Sequence, residues 1–242
     1  MAAVAGMLLC ASATAHALTQ PKVDRLPDAP KSVLFVGNSY FYYNNSLHDH
    51  VLSLLRSADP TGTYTATSAT ISGASLTMHD VDRLLSAHKR KEFDAVIMMD
   101  CSWCAVDRRA AFARVVAKDV AVVRRHRAAP VLFMTWAYAD KPRMIGELAD
   151  VYTAAGNANN ALVVPAGLAF ARSLSQRPEL ALHVPDRSHP TLAGTYLAAC
   201  VVMASVYRRS PVGNAYRAGL DDGTAAFLQT IAWDTVRDYY RQ

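Results

Sequence analysis

The sequence predicts an α/β protein: a three-layer α/β/α sandwich on a five-stranded parallel sheet. Two observations predict it. Apolar runs such as residues 33–36 and 95–99 carry no polar interruption, as expected of strands covered on both faces. Five such strand candidates alternate with segments of helical periodicity, the pattern of a doubly wound sheet.

The elements follow in order. Residues 18–30 are polar and carry Pro21, Pro27 and Pro30, so they read as a leader loop. The first strand spans residues 32–36 and stops at Gly37-Asn38-Ser39. An aromatic cluster, Tyr40 to Tyr43, comes next. Over residues 46–56, Leu47, Val51, Leu54 and Leu55 recur at helical spacing. Asp59-Pro60-Thr61-Gly62 is a turn. Residues 63–71, rich in Thr and β-branched side chains, read as the second strand and end at Ser72-Gly73-Ala74-Ser75. A helix over 79–90 groups Val81, Leu84, Leu85 and His88. The third strand covers 93–99, and a long helix covers 107–127 with Phe112, Val116, Val120 and Val123 on its apolar face. The fourth strand spans 130–136, a helix 144–155, and the fifth strand 161–164. Helices over 167–175, 190–208 and 224–240 complete the chain. Right-handed crossovers leave few topologies, and the flavodoxin-like strand order 2-1-3-4-5 is expected. No strand is followed by Gly-x-Gly-x-x-Gly, which argues against a dinucleotide site. Residues 31–242 are read as one domain.

Composition narrows the function. Of 242 residues, 52% are hydrophobic and 19% charged, enough for a large core. The net charge of +5 is spread over scattered arginines such as Arg108-Arg109 and Arg124-Arg125. Nucleic-acid binding would concentrate them in one stripe, so no nucleic-acid partner is expected. Residues 1–17 hold no Lys, Arg, Asp or Glu, have an apolar centre, and end in Ala15-His16-Ala17, an A-x-A cleavage pattern. They read as a signal peptide, too short for the roughly 20 apolar residues that span a bilayer. The rival is a lipid anchor at Cys10, where bulky Leu9 stands in place of a small residue. A periplasmic or secreted location, without stable membrane insertion after cleavage, is therefore expected, and export means an oxidising compartment. Cys101 and Cys104 form a C-x-x-C pair without a second pair to complete a zinc site. A local disulfide, two plain thiols or a redox dithiol would each fit. Cys200 lies in an apolar helical stretch and reads as core.

Two stretches carry chemistry. Ser39 ends the first strand, where ligands bind in parallel α/β sheets; it is either a helix cap or a nucleophile. In Pro185-Asp186-Arg187-Ser188-His189-Pro190-Thr191, the proline keeps His189 out of helical geometry. Proline also favours the first helical position, which sets His189 at the mouth of the next helix. Asp186 is close enough to reach back to its imidazole. A serine hydroxyl needs such a base, and the base needs a carboxylate to fix its tautomer. The plainer reading of Asp186 and His189 is a helix-entry loop.

Gly37-Asn38-Ser39 resembles the Gly-Asp-Ser block of the SGNH (GDSL) hydrolases, with Asn for Asp as in an exported bacterial branch. Gly73 is similar to their glycine block, and Asp186-x-x-His189-Pro190 to their final block. The three motifs fall in the family's order. The resemblance implies an esterase acting on a carboxylic ester of a small molecule or glycan, with no metal or organic cofactor. Short acyl, lipid acyl and O-acetyl groups all remain open, and the absence of a long apolar lid segment favours a short acyl or O-acetyl group. It implies Ser39 as nucleophile, His189 as general base and Asp186 as its partner. The oxyanion hole would draw on backbone N–H groups of Ser39 and Gly73. The family's third donor, an asparagine after the third strand, is missing: Met99-Asp100-Cys101-Ser102-Trp103 stands there, and Ser102 is the nearest replacement.

Other readings compete. The same fold could serve a non-catalytic carbohydrate- or partner-binding protein, and the cysteine pair a thiol redox protein. Ser75 lacks the Gly-x-Ser-x-Gly elbow of the α/β-hydrolases. His48 and His50, two apart, would not share a helix face. His79, His126 and His183 have no ligand partners visible in the sequence. Trp136 and Tyr138 could line a pocket or belong to the core.

Overall fold

The computed structural model of the protein describes residues 19–87 and 92–241. The proposed signal peptide, Cys10 and His88 lie outside the described residues. Five strands, β1 (Ser32–Gly37), β2 (Thr65–Thr70), β3 (Ala95–Met98), β4 (Ala129–Phe133) and β5 (Leu162–Val164), form one sheet. Its order is β2-β1-β3-β4-β5, every pair parallel. The predicted topology is the observed one.

The period-two alternation of β1 divides the core. Val33 and Phe35 face one layer, packed on α2 (Leu47–Ala58), α7 (Ala166–Gln176), α8 (Leu192–Val206) and α9 (Asp222–Tyr240). Leu34 and Val36 face the other, on α3 (Val81–Ala87), α5 (Arg109–Arg125) and α6 (Met144–Asn159). Helix α8 is apolar all round and has 14 of its 15 residues buried, as expected of a helix enclosed by neighbours. The leader segment has no regular structure but is tied down. Lys22 N–H donates to Asn157 Oδ1 at 2.7 Å, Asn157 Nδ2 donates to the Gln20 carbonyl at 2.7 Å, and Leu26 is buried.

The predicted elements need five adjustments. Ser39–Tyr42 forms a one-turn helix, α1, which no periodicity could announce. The helix expected over 79–90 covers Val81–Ala87 and follows a 3₁₀ turn, Leu76–Met78; His79 is extended. The helix expected over 107–127 is two, α4 (Cys104–Asp107) and α5, broken where Arg108 leaves helical geometry at φ −126°, ψ 43° and lays its guanidinium over the Trp103 ring. The fourth strand ends at Phe133, and residues 134–136 leave the sheet toward its carboxyl edge. Pro190 is not the first helical residue of α8. Thr191 caps that helix, its hydroxyl accepting from Gly194 N–H at 3.2 Å. A threonine can satisfy an orphan donor there, so Pro190 falls outside, bridged to His183.

Candidate active site

The site lies beyond the carboxyl ends of β1, β2 and β3, beside the β1–β3 pair where the winding of the sheet reverses, the place where ligands bind in open α/β sheets. β1 delivers Asn38 and Ser39. Asn38 caps α1: its Oδ1 accepts from Tyr40 N–H at 3.2 Å. Its amide nitrogen donates to the Ala74 carbonyl at 3.0 Å and the Asp100 carbonyl at 3.3 Å. One buried asparagine therefore ties together the turns after β1, β2 and β3. The cap is Asn38, which leaves the Ser39 hydroxyl free for other work.

Ser39 is 7% exposed. Its Oγ lies 2.9 Å from His189 Nε2, across 150 residues of chain. His189 Nδ1 lies 2.6 Å from Asp186 Oδ2. Asp186 Oδ1 accepts from the backbone N–H groups of Ser188 at 2.8 Å and His189 at 2.9 Å. Burial pushes the Asp186 carboxyl up, but those two N–H groups and the imidazole outweigh it and hold it below the usual carboxylate range. It stays charged at neutral pH. Tyr43 stacks on the imidazole, with centroids 4.4 Å apart and planes at 14°.

Gly73 occupies the left-handed region at φ +65°, where a side chain would be strained. Its flanks are fixed: Tyr42 donates to Ser72 Oγ at 3.0 Å, and the Ala74 carbonyl is held by Asn38. After β3, Asp100 Oδ1 accepts from Leu76 N–H and Cys101 N–H, each at 2.8 Å. Burial pushes the Asp100 carboxyl up against those bonds. Ser102 Oγ lies 2.7 Å from Tyr138 Oη.

Cys101 and Cys104 form a disulfide across this turn, one of the pairings the spacing left open. With Asp100 they are a compact acid and sulfur cluster. Both sulfurs are bonded to each other, so neither offers a metal the thiolate it would need. At 7% and 4% exposure the cysteines also give an exchanging thiol little access. Cys200 is buried in α8 as expected.

The remaining candidates have structural partners. His50 contacts Tyr216 Oη at 2.8 Å and the Asn44 carbonyl at 2.6 Å, while His48 lies 3.7 Å from Asp49. His126 is 2.8 Å from Asp82 and His183 is 3.0 Å from the Ala137 carbonyl. Burial lowers the His79 pKa, opposed by a bond to the Gly37 backbone. Ser75 Oγ shares a hydrogen bond with Thr77. Trp136 is wholly buried yet reaches the site, since its Nε1–H donates to the Ser188 carbonyl at 2.9 Å. Sequence reading missed Asn44, whose amide donates to the Pro190 carbonyl at 2.9 Å and Thr195 Oγ1 at 2.8 Å. Asn44, Asn45 and Ser46 all have positive φ, at 50°, 67° and 69°. Asn-Asn tolerates that region, which was the available signal.

No family model matches the chain, and no curated protein sequence does. Solved structures do. A candidate SGNH hydrolase from Slackia heliotrinireducens is 24% identical, with TM-score 0.60, over 72% of this chain and 97% of that one. A DUF4886 family protein from Bacteroides uniformis is 18% identical, with TM-score 0.68, over 84% and 93%. Axe2, an acetylxylan esterase from Geobacillus stearothermophilus, is 17% identical, with TM-score 0.60, over 74% and 94%. At such identities the likeness is one of fold, and the chain carries the fold of the SGNH hydrolases.

Proposed function

We propose that this protein, built on the SGNH-hydrolase fold, is an exported serine esterase that hydrolyses a carboxylic ester through Ser39, His189 and Asp186. One observation carries the reading: the unbroken line Ser39 Oγ–His189 Nε2, His189 Nδ1–Asp186 Oδ2, at 2.9 and 2.6 Å. Acyl transfer requires that order of groups, and a helix-entry loop alone would not require His189 to meet Ser39.

In the reaction, Ser39 Oγ attacks the ester carbonyl as His189 Nε2 takes its proton. Asp186 holds the Nδ1–H and stabilises the imidazolium. The tetrahedral oxyanion accepts from the N–H groups of Ser39 and Gly73. Collapse breaks the bond to the alcohol oxygen, which leaves with the proton from His189. Water, deprotonated by His189, then attacks the acyl-Ser39 ester, and the proton returns to Ser39 as the acid departs. Ser102 is the third candidate donor. When Tyr138 donates to Ser102 Oγ, the Ser102 proton turns either to Tyr40 or to the oxyanion, and in the second case partly replaces the missing asparagine.

The substrate we infer carries a short acyl or O-acetyl group on a small alcohol or glycan. Axe2, an acetylxylan esterase on the same fold, is consistent with this class. The Cys101–Cys104 disulfide supports export, since such bonds persist in oxidising compartments.

A fluorophosphonate probe and an aryl acetate test the reading. Wild type should take one adduct and turn over the ester. Ser39→Ala should lose both, and Asp186→Asn should lower kcat by about 10⁴. A wild-type protein that is neither labelled nor active at neutral to mildly alkaline pH would overturn the esterase reading in favour of a binding protein.

A further inference from the structure

The proposed esterase site holds its nucleophile and its base on segments 150 residues apart, so something must set their distance. Ser188, the residue directly before His189, makes the contacts that bear on it. Every polar atom of Ser188 is engaged. Its N–H donates to Asp186 Oδ1 at 2.8 Å, its carbonyl accepts from Trp136 Nε1–H at 2.9 Å, and its Oγ shares a hydrogen bond with Tyr40 Oη at 2.7 Å. Tyr40 is the next residue after Ser39, on α1.

The two partner side chains belong to one object. Tyr40 and Trp136 stack with centroids 4.3 Å apart and planes at 5°; Trp136 and Phe170 stack at 4.2 Å and 3°. The three rings are 3%, 0% and 1% exposed. The column runs from α1, past the end of β4, to α7, beneath the site. Its two polar edges both end on Ser188. Burial pushes the Tyr40 phenol far up, so it keeps its proton. The loop itself does not rest in an easy conformation: Arg187 has φ +66°, which a non-glycine residue adopts only when its surroundings insist.

The geometry points to Tyr40 and Trp136 as positioning residues that clamp Ser188 and thereby register the Asp186–His189 loop on Ser39. This rests on the esterase reading. Because the clamp starts on the nucleophile's own helix, a displacement of Ser39 carries the base with it. Misplacing the base by about 1 Å could cost up to about 10² in rate.

Conservative variants separate clamp from core. Tyr40→Phe keeps its ring in the column and removes only the polar edge, whereas Trp136→Phe keeps a ring but removes part of the buried indole volume along with the N–H, so the Tyr40 and Ser188 variants carry the separation. Each should lower kcat for an aryl acetate about 3- to 10-fold, with KM changed less than about 2-fold, and together about 10- to 100-fold. Fluorophosphonate labelling of Ser39 should slow in parallel. Tyr40→Phe and Ser188→Ala should be non-additive, because each removes the same bond, whereas Ser188→Thr should keep most of the rate. Amide exchange at Ser188 and His189 should quicken in Trp136→Phe, a readout independent of turnover. An active wild type whose Phe variants keep its kcat, or whose Tyr40→Phe and Ser188→Ala effects simply multiply, overturns the clamp alone. An inert wild type overturns the esterase reading and the clamp's catalytic purpose with it.

Discussion

Asn38 shows how one side chain can organise a site without touching chemistry. It uses both amide donors and its acceptor, on three separate turns. An aspartate has the same shape but only accepts when ionised. Asn38→Asp would face the Ala74 and Asp100 carbonyls with a charge. The expected loss is about 1–3 kcal/mol of stability, the cost of stranding buried polar groups. Such a carboxyl would titrate above its unfolded value, so the deficit should deepen as pH rises from about 4 and be smaller in acid. Thermal unfolding at pH 5 and pH 8 measures it, and equal deficits at both would contradict the account. Ser39, Asp186 and His189 were legible as candidates because Gly37-Asn38-Ser39 and Asp186-x-x-His189-Pro190 together resemble the SGNH blocks; the local sequence alone also fitted a helix cap and a helix-entry loop. Asn38's bonds were not, since their partners lie 36 and 62 residues away.

At the scale of elements, the base loop depends on how closely α8 approaches the segment before it. A Cβ on Gly194 would sit 2.5 Å from the Leu182 carbonyl oxygen and 3.2 Å from Pro190 Cβ. Both flank the loop that carries His189, and neither can yield without moving it. Gly194→Ala should therefore cost about 1–3 kcal/mol, as overpacking does, lowering Tm by about 2–10 °C. It should also slow Ser39 labelling. A variant with unchanged Tm and labelling would show that α8 can shift freely. The sequence announces α8 by its apolar run but places its start two residues early, because Thr191 takes the cap and leaves Pro190 outside the helix. The turn after β3 is the opposite case. It departs from the family's pattern in sequence, and a disulfide spans Cys101 and Cys104 there.

At the scale of the whole molecule, the layer under α5 hides an acid without a hydrogen-bond partner among the described residues. Asp119 has a side chain 1% exposed, and among the described residues neither oxygen has a hydrogen-bond partner. Burial pushes its pKa up to about 6; Lys118, 3.8 Å away, opposes this and Asp80 adds to it. The folded state thus holds a proton that the unfolded chain releases near pH 4. Stability is full below about pH 4, falls as pH rises to about 6, and stays lower above, by a total on the order of 3 kcal/mol. Asp119→Asn should flatten that decline while leaving aryl acetate hydrolysis intact. Denaturant titrations from pH 4 to 8 decide it: a parallel decline in the variant would assign the slope to other groups.

The sequence by itself determined the sheet and its order, because uninterrupted apolar strands alternating with helices admit little else, and right-handed crossovers do the rest. It also marked Ser39, Asp186 and His189 as candidates, through motifs that resemble the SGNH blocks in order. Only the tertiary structure decided that Asn38 rather than Ser39 caps α1, that Cys101 and Cys104 are bonded, and that Trp136 is both core and a hydrogen-bond donor to the base loop. Those outcomes depend on contacts between distant segments. Propensity and periodicity act over one or two turns, whereas a hydrogen bond from β4's end to Ser188 exists only once the sheet has brought the two together.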